Sequence, residues 1–143
     1  MLPASGVPQS VGDTPGDGLQ TRTLASKVVR VKPNTSVRAT ALDLDTQPVP
    51  PDQSVSGQPQ TAVQTLTEFG GLEVGVWEMT PGVMTDVEAD EVFVVLSGSA
   101  TVEFGDDSQT ISIGPGDVVR LAEGAETVWT VTETLRKIYL TGA

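Results

Sequence analysis

From Thr61 onward, apolar residues return at every second position and no three-to-four-residue period is sustained. In the run ATVEF, Ala100, Val102 and Phe104 fall on one side while Thr101 and Glu103 fall on the other. In QTISI, Ile111 and Ile113 oppose Thr110 and Ser112. Side chains alternate across a strand, so this period of two predicts half-buried β-strands. Further runs of the same character are TAVQTLT, LEVGVWEM, VVRL, TVWTV and RKIYL, rich in Val, Thr and aromatics and separated by Gly-containing turns. The run EVFVVL, opened by Glu91, is apolar on both sides, which predicts a strand covered on both faces. The side that begins with Glu91 continues through Phe93 and Val95. Many short strands at regular spacing predict an all-β sandwich or barrel.

The first 60 residues read differently. Eight of the ten prolines lie there, in MLPASGVPQSVGDTPGDG, in VKPN and in DTQPVPPDQSVSGQP. The two long Pro-rich stretches cannot bury enough apolar surface to fold alone. Between them, Lys27–Val31 and Val37–Leu42 are β-like and meet at Pro33-Asn34, predicting a short hairpin. The expected organisation is an N-terminal arm over 1–60, docked on a neighbour, and a barrel over 61–143. In the barrel half both prolines stand in Pro-Gly pairs, Pro81-Gly82 and Pro115-Gly116, which is turn chemistry.

Charge divides the chain at the same place. Residues 1–60 carry five acids and five bases, whereas 61–143 carry the other 14 acids against Arg120, Arg136 and Lys137. The net charge of −11 therefore belongs to the barrel half, and such a surface repels phosphate backbones and anionic membranes. Neither a nucleic-acid nor a membrane partner is expected. The first residues show no basic start and no apolar run, so no secretory signal is read and a cytoplasmic location is expected. The chain has no cysteine and no histidine, which removes disulfides, thiolate and imidazole metal sites, and nucleophilic triads that need a histidine base.

Two stretches, TPGVMTDVEADEVFVVLSG and IGPGDVVRLAEGAETVWTV, resemble the paired signatures of the cupins. In the first, Glu91 and Gly98 stand in the family's places with six residues between them, while the histidine places fall on Met84 and Asp86 or on Thr85 and Val87. In the second, Gly116, Asp117 and Gly124 match, Ala122 replaces a usual proline, and Thr127 takes the histidine's place. GVWEMTPG, WTV and ETLRKIYL, with Trp77, Glu78, Trp129, Lys137 and Tyr139, are similar to the subgroup of the ureidoglycine aminohydrolase and ethanolamine-utilisation cupin domains. The resemblance covers about residues 70–142 and implies a double-stranded β-helix, or jelly-roll, cupin barrel. It also implies a metal held by histidines and the glutamate, and here only the glutamate is present.

Without imidazole, a metal would rest on Asp86, Glu88, Asp90 and Glu91, an oxygen-only set suited to hard cations. Acids beside a turn are more often a solvated loop, so no metal and no cofactor are expected. Glu91 on a dry strand needs a partner or a proton, because an unpaired buried carboxylate costs several kcal/mol. Lys137 or Arg120 is the expected partner; the other reading leaves Glu91 in water at the strand mouth. Thr127 and Trp129 should face the interior, with Trp129 either a platform for a ligand or core. Trp77 reads as core. Lys137 and Tyr139 share a face, and an inward Lys137 would mean a charge pair or an anionic ligand. The expected ligand-binding set is Glu91, Phe93, Thr127, Trp129, Lys137 and Tyr139, with no catalytic residue assigned. The expected function is binding of a small polar metabolite, carboxylate- or amine-bearing, by a cupin without the histidine site. The alternative is an aminohydrolase-like enzyme on a small nitrogen-containing substrate, using carboxylate-held metal or Glu91 and Lys137 as an acid–base pair. Open sheet edges and the β-like arm predict a homodimer.

Overall fold

The structure is a computed structural model and describes residues 28–105 and 109–143. Among the described residues nine strands form in chain order: β1 (Gln47–Pro48), β2 (Ser54–Ser56), β3 (Gln60–Phe69), β4 (Leu72–Met79), β5 (Gly82–Val87), β6 (Glu91–Phe104), β7 (Thr110–Ile113), β8 (Val118–Leu121) and β9 (Glu126–Gly142). No α-helix occurs among the described residues; a single 3₁₀ turn spans Ala39–Ala41.

All pairings are antiparallel, and two long strands organise them. The first half of β6 pairs with β8 and with the second half of β9; the second half of β6 pairs with β7 and with the first half of β9. On its other edge β9 pairs with β5 over Glu126–Val131 and with β4 over Leu135–Gly142. β6 and β9 thus pass from one layer into the other, and their register slips where they do so, between Val95 and Ala100. Gly98 sits at that crossing with φ +94°. The result is a jelly-roll barrel of two layers, as the alternation predicts. The runs EVFVVL and ATVEF are one 14-residue strand, and TVWTV and RKIYL are one 17-residue strand. The inner faces of both layers supply the core, including Trp77, Met79, Met84, Phe93, Val102, Trp129 and Leu135.

Three expectations are corrected. The hairpin over Lys27–Val31 and Val37–Leu42 does not form within the described residues; Lys27 itself lies outside them. The turn at Pro33-Asn34 is present, closed by Thr35 N–H and Oγ1 on the Lys32 carbonyl (3.0 and 2.7 Å). The chain on either side, however, bonds to the barrel rather than to itself. A bulge between Thr65 and Thr67 frees the Leu66 carbonyl, which accepts Val31 N–H at 2.9 Å, and Gln64 donates to the Val29 carbonyl at 2.7 Å. Secondly, the sheet starts before residue 61, because β1 caps the β3 edge and β2 the β5 edge. Proline is tolerated in β1 since an edge strand leaves one row of N–H groups unused.

The third correction concerns EVFVVL, whose inner face is dry and whose outer face is only partly covered. Across the outer face run two rows, Val118–Val94–Ile138–Val76 and Val92–Leu140–Val74, apolar throughout and set side by side by the strand registers, with Arg120 opposite Val92 at the end of the second. Val76 is buried, and the arm is held nearby where Arg136 donates to the Ala39 carbonyl at 2.8 Å. At the far end Val118 is 69% exposed and Val92 37%.

Candidate functional site

The strand parity that buries Glu91 and Phe93 on β6 also turns Thr127, Trp129, Lys137 and Tyr139 of β9 inward. Lys137 Nζ donates to Glu91 Oε2 at 2.8 Å, and the two side chains are 1% and 0% exposed. Around Nζ stand three rings, with centroids at 4.0 Å (Phe93), 4.6 Å (Trp77) and 4.9 Å (Trp129). A cation over ring faces is attracted by their quadrupoles, more strongly when water is excluded. Burial pushes the Lys137 ammonium below its ordinary range, and the charges of Glu91, Glu88 and Asp86 push it back. Of the two expected partners for Glu91, the structure selects Lys137. Arg120 points outward, 61% exposed, and pairs with Asp90 at 3.4 Å.

Two acids expected in a solvated loop belong to this interior instead. GVMTDV forms β5, which puts Asp86 on the inner face, and Glu88 follows at its end; they are 7% and 3% exposed. Glu88 Oε2 accepts from Thr127 Oγ1 at 2.6 Å and from the Trp129 indole N–H at 3.0 Å. Asp86 Oδ1 accepts the Val87 N–H at 2.8 Å. Asp90 alone of the alternating acids keeps the expected exposure, and the Glu123 N–H with the Arg120 guanidinium holds its carboxyl below the usual range. Glu88 was missed because a run of acids reads as solvent-facing. Its signal was indirect: an inward Trp and Thr two residues apart both need an acceptor.

Tyr139 is buried a few residues away and donates to Glu73 Oε2 at 2.6 Å, which also accepts from Thr65 Oγ1 at 2.7 Å. Burial raises its phenol far above the ordinary value, and the adjoining Glu73 raises it further. Tyr139 is the only tyrosine, so an alkaline titration followed by phenolate absorbance reads this group by itself. We expect no phenolate signal at pH 10.0, the ordinary phenol value, while the fold persists. Because the folded pKa lies above the unfolded one, this contribution to stability is complete below that pH and is lost as pH rises past it. A titration midpoint near 10 in folded protein would refute the assignment.

The cluster does not fit a metal. An ammonium nitrogen already occupies the Glu91 oxygen, the donor set lacks imidazole and thiolate, and no three acids among the described residues converge on a common point. Outside the cluster a cleft of ≈ 460 Å³ lies against β5 and the start of β9, lined by Gln53, Asp86, Val87, Glu126, Thr127 and Val128 among others. Asp86 and Thr127 belong to both cleft wall and buried cluster. Gln53 reaches across, donating to the Thr85 carbonyl at 3.0 Å and to Asp86 Oδ1 at 3.5 Å. Of the expected ligand-binding residues only Thr127 borders this cleft; Glu91, Phe93, Trp129, Lys137 and Tyr139 are enclosed.

The sequence pattern of the EutQ-like cupin domain matches residues 66–139. The chain belongs to the EutQ-like cupin family. A search of curated proteins gives no match. Among solved structures, a protein of unknown function from Pseudomonas syringae pv. tomato is similar at 29% identity and a TM-score of 0.63, over 74% of this cupin and 46% of that chain. The cupin thus spans less than half of that relative. The EutQ protein of Clostridium difficile is similar at 17% identity and TM-score 0.59, over 76% of this chain and 86% of its own. A putative ethanolamine utilization protein of Salmonella typhimurium gives 14% and 0.58, over 75% and 84%. These last two likenesses establish the cupin fold and nothing more. No helix among the described residues is long and apolar enough to cross a membrane.

Proposed function

We propose that this cupin binds a small polar metabolite in the cleft between Gln53 and Glu126, and that the Lys137–Glu91 pair fills the place a metal holds in other cupins. The observation that carries the reading is the enclosed 2.8 Å contact between Lys137 and Glu91. It consumes the family's glutamate and moves recognition from the interior to the rim. There the described lining residues include Asp86 and Glu126 and no base, beside Val87 and Val128. An apolar wall with a few oriented polar groups is what a small-ligand site needs, and acids without bases favour an amine-bearing ligand over a carboxylate.

Calorimetric titration with a panel of small amines and matched carboxylates tests this. An amine is expected to bind, with affinity falling at least about tenfold in Glu126→Gln and in Val128→Trp, which fills the cleft, a change of ~1.4 kcal/mol. Binding of carboxylates only, or affinities untouched by both substitutions, would overturn the reading. Turnover of the bound amine would instead favour the aminohydrolase-like alternative.

The half-covered outer rows of β8, β6 and β9 supply the surface for a homodimer. A second copy suits them because the rows end at an Asp90–Arg120 pair, which a two-fold axis sets against its own copy in reversed order. Light scattering should give twice the chain mass for the wild type and the chain mass for Val118→Glu. A wild-type monomer at micromolar concentration would end the proposal.

A further inference from the structure

Lys137 and Glu91 are more than an ion pair in contact. The surroundings that enclose them also disfavour their charges. Taking an ammonium and a carboxylate out of water raises the free energy of the charged forms, and moving one proton from Nζ to the carboxylate removes both charges at once. Burial already pushes Lys137 in that direction, against the pull of three acids. The products of the shift are an amine and a carboxylic acid held at contact. Groups fixed in this way react as if at very high concentration, with effective molarities that reach 10⁵–10⁸ M, roughly 7–11 kcal/mol of barrier, for well-oriented pairs.

We propose that Lys137 and Glu91 condense into an internal amide that ties β9 to β6. The Nζ lone pair attacks the Glu91 carboxyl carbon and forms the C–N bond. The proton released from nitrogen passes to the departing oxygen, the C–O bond breaks, and one water leaves. No oxidant, cofactor or second chain is required. We assign the proton transfer to Glu88, the buried acid whose Oε2 Thr127 and Trp129 hold on the same inner face and whose charge acts on Lys137. Trp77, Phe93 and Trp129 shield the product from hydrolysis by keeping bulk water out. Ion pair and amide are both neutral overall, so the barrel keeps its internal charge balance. The contrast is Arg136–Glu78, a closer pair at 2.5 Å whose guanidinium stays charged and cannot take this route.

Intact-mass spectrometry of the full-length folded chain decides it. The expected mass is below the sequence mass by one water, about 18 Da. Asp17-Gly18 can lose the same water as a cyclic imide, so the loss must be located. Tandem spectra of a digest should show one species joining the Glu91 peptide to the Lys137 peptide. A full sequence mass, or a loss confined to Asp17-Gly18, would overturn the proposal. Glu88→Gln should leave a fraction of folded chains at full mass after the wild type is completely joined; linkage at the wild-type rate would remove Glu88 from the mechanism.

Discussion

Measured against freshly folded chains in which Lys137 and Glu91 are still unjoined, Lys137→Met is expected to destabilise the barrel by about 3–5 kcal/mol, the range for removing one partner of a buried ion pair. Methionine matches the length and volume of the lysine stem, so packing against Trp77, Phe93 and Trp129 survives and the loss isolates charge. What remains is Glu91 facing rings instead of a cation, with Glu88 and Asp86 close by. For a domain of this size each kcal/mol moves the melting temperature by roughly 2–4 °C, so the drop is on the order of 6–20 °C. Adding Glu91→Leu to Lys137→Met should return at least half of the loss, because a buried pair exchanged whole for apolar groups is often neutral or better. Thermal unfolding of the three proteins is the measurement. A single substitution costing under about 1 kcal/mol would mean that water reaches Glu91 and that the enclosed pair is not what balances the interior.

Gly98→Ala is expected to be as damaging, for a reason of backbone rather than charge. Residue 98 has φ +94°, and a Cβ there would stand 2.0 Å from the Thr134 carbonyl oxygen and 2.7 Å from Leu135 Cα. Those atoms are backbone of β9, so relief requires parting β6 from β9 where both change layer. The positive φ alone costs of order 1–3 kcal/mol. Gly116 and Gly124 have nearly the same φ, +92° and +90°, with nothing within 4 Å. They are the control. Gly116→Ala and Gly124→Ala should lose only the conformational part, while Gly98→Ala should lose about 3 kcal/mol more and reach the insoluble fraction on expression. Equal losses at all three sites in urea unfolding would remove crowding at the crossing as the cause.

How much of this was legible beforehand differs from element to element. LEVGVWEM and VVRL coincide with β4 and β8, because alternation survives wherever one face of a strand is dry. The partnership of Glu91 with Lys137 or Arg120 followed from the dryness of EVFVVL and the scarcity of bases in the barrel half. Choosing between them needed the register: Arg120 sits opposite Val92 on the outer face, while Lys137 shares the inner parity of Tyr139. GVMTDV was not read as a strand, since its acids resemble a solvated turn until a buried cation is seen to attract them. The rows of β6 looked ready for cover on both sides, and a single chain covers one. The arm's β-like runs misled because a hairpin and an edge-hugging segment share the same residues; the bulge at Leu66 that captures Val31 N–H is a property of β3, not of the arm.

The two long strands also fix the order in which this molecule can be made. β9 is the shared neighbour of β4, β5 and β6, so each of them leaves the ribosome with an edge that has no partner yet. Asp86, Glu88 and Glu91 are synthesised more than 40 residues before Lys137 and wait in water, charged and hydrated, until it arrives. Until Glu126–Gly142 is complete, neither layer can close and no part of the core is dry. Folding of this barrel is therefore a late event dominated by distant contacts, and slow as such topologies are. During that interval the acids guard the unfinished strands, and their mutual repulsion keeps nascent chains apart.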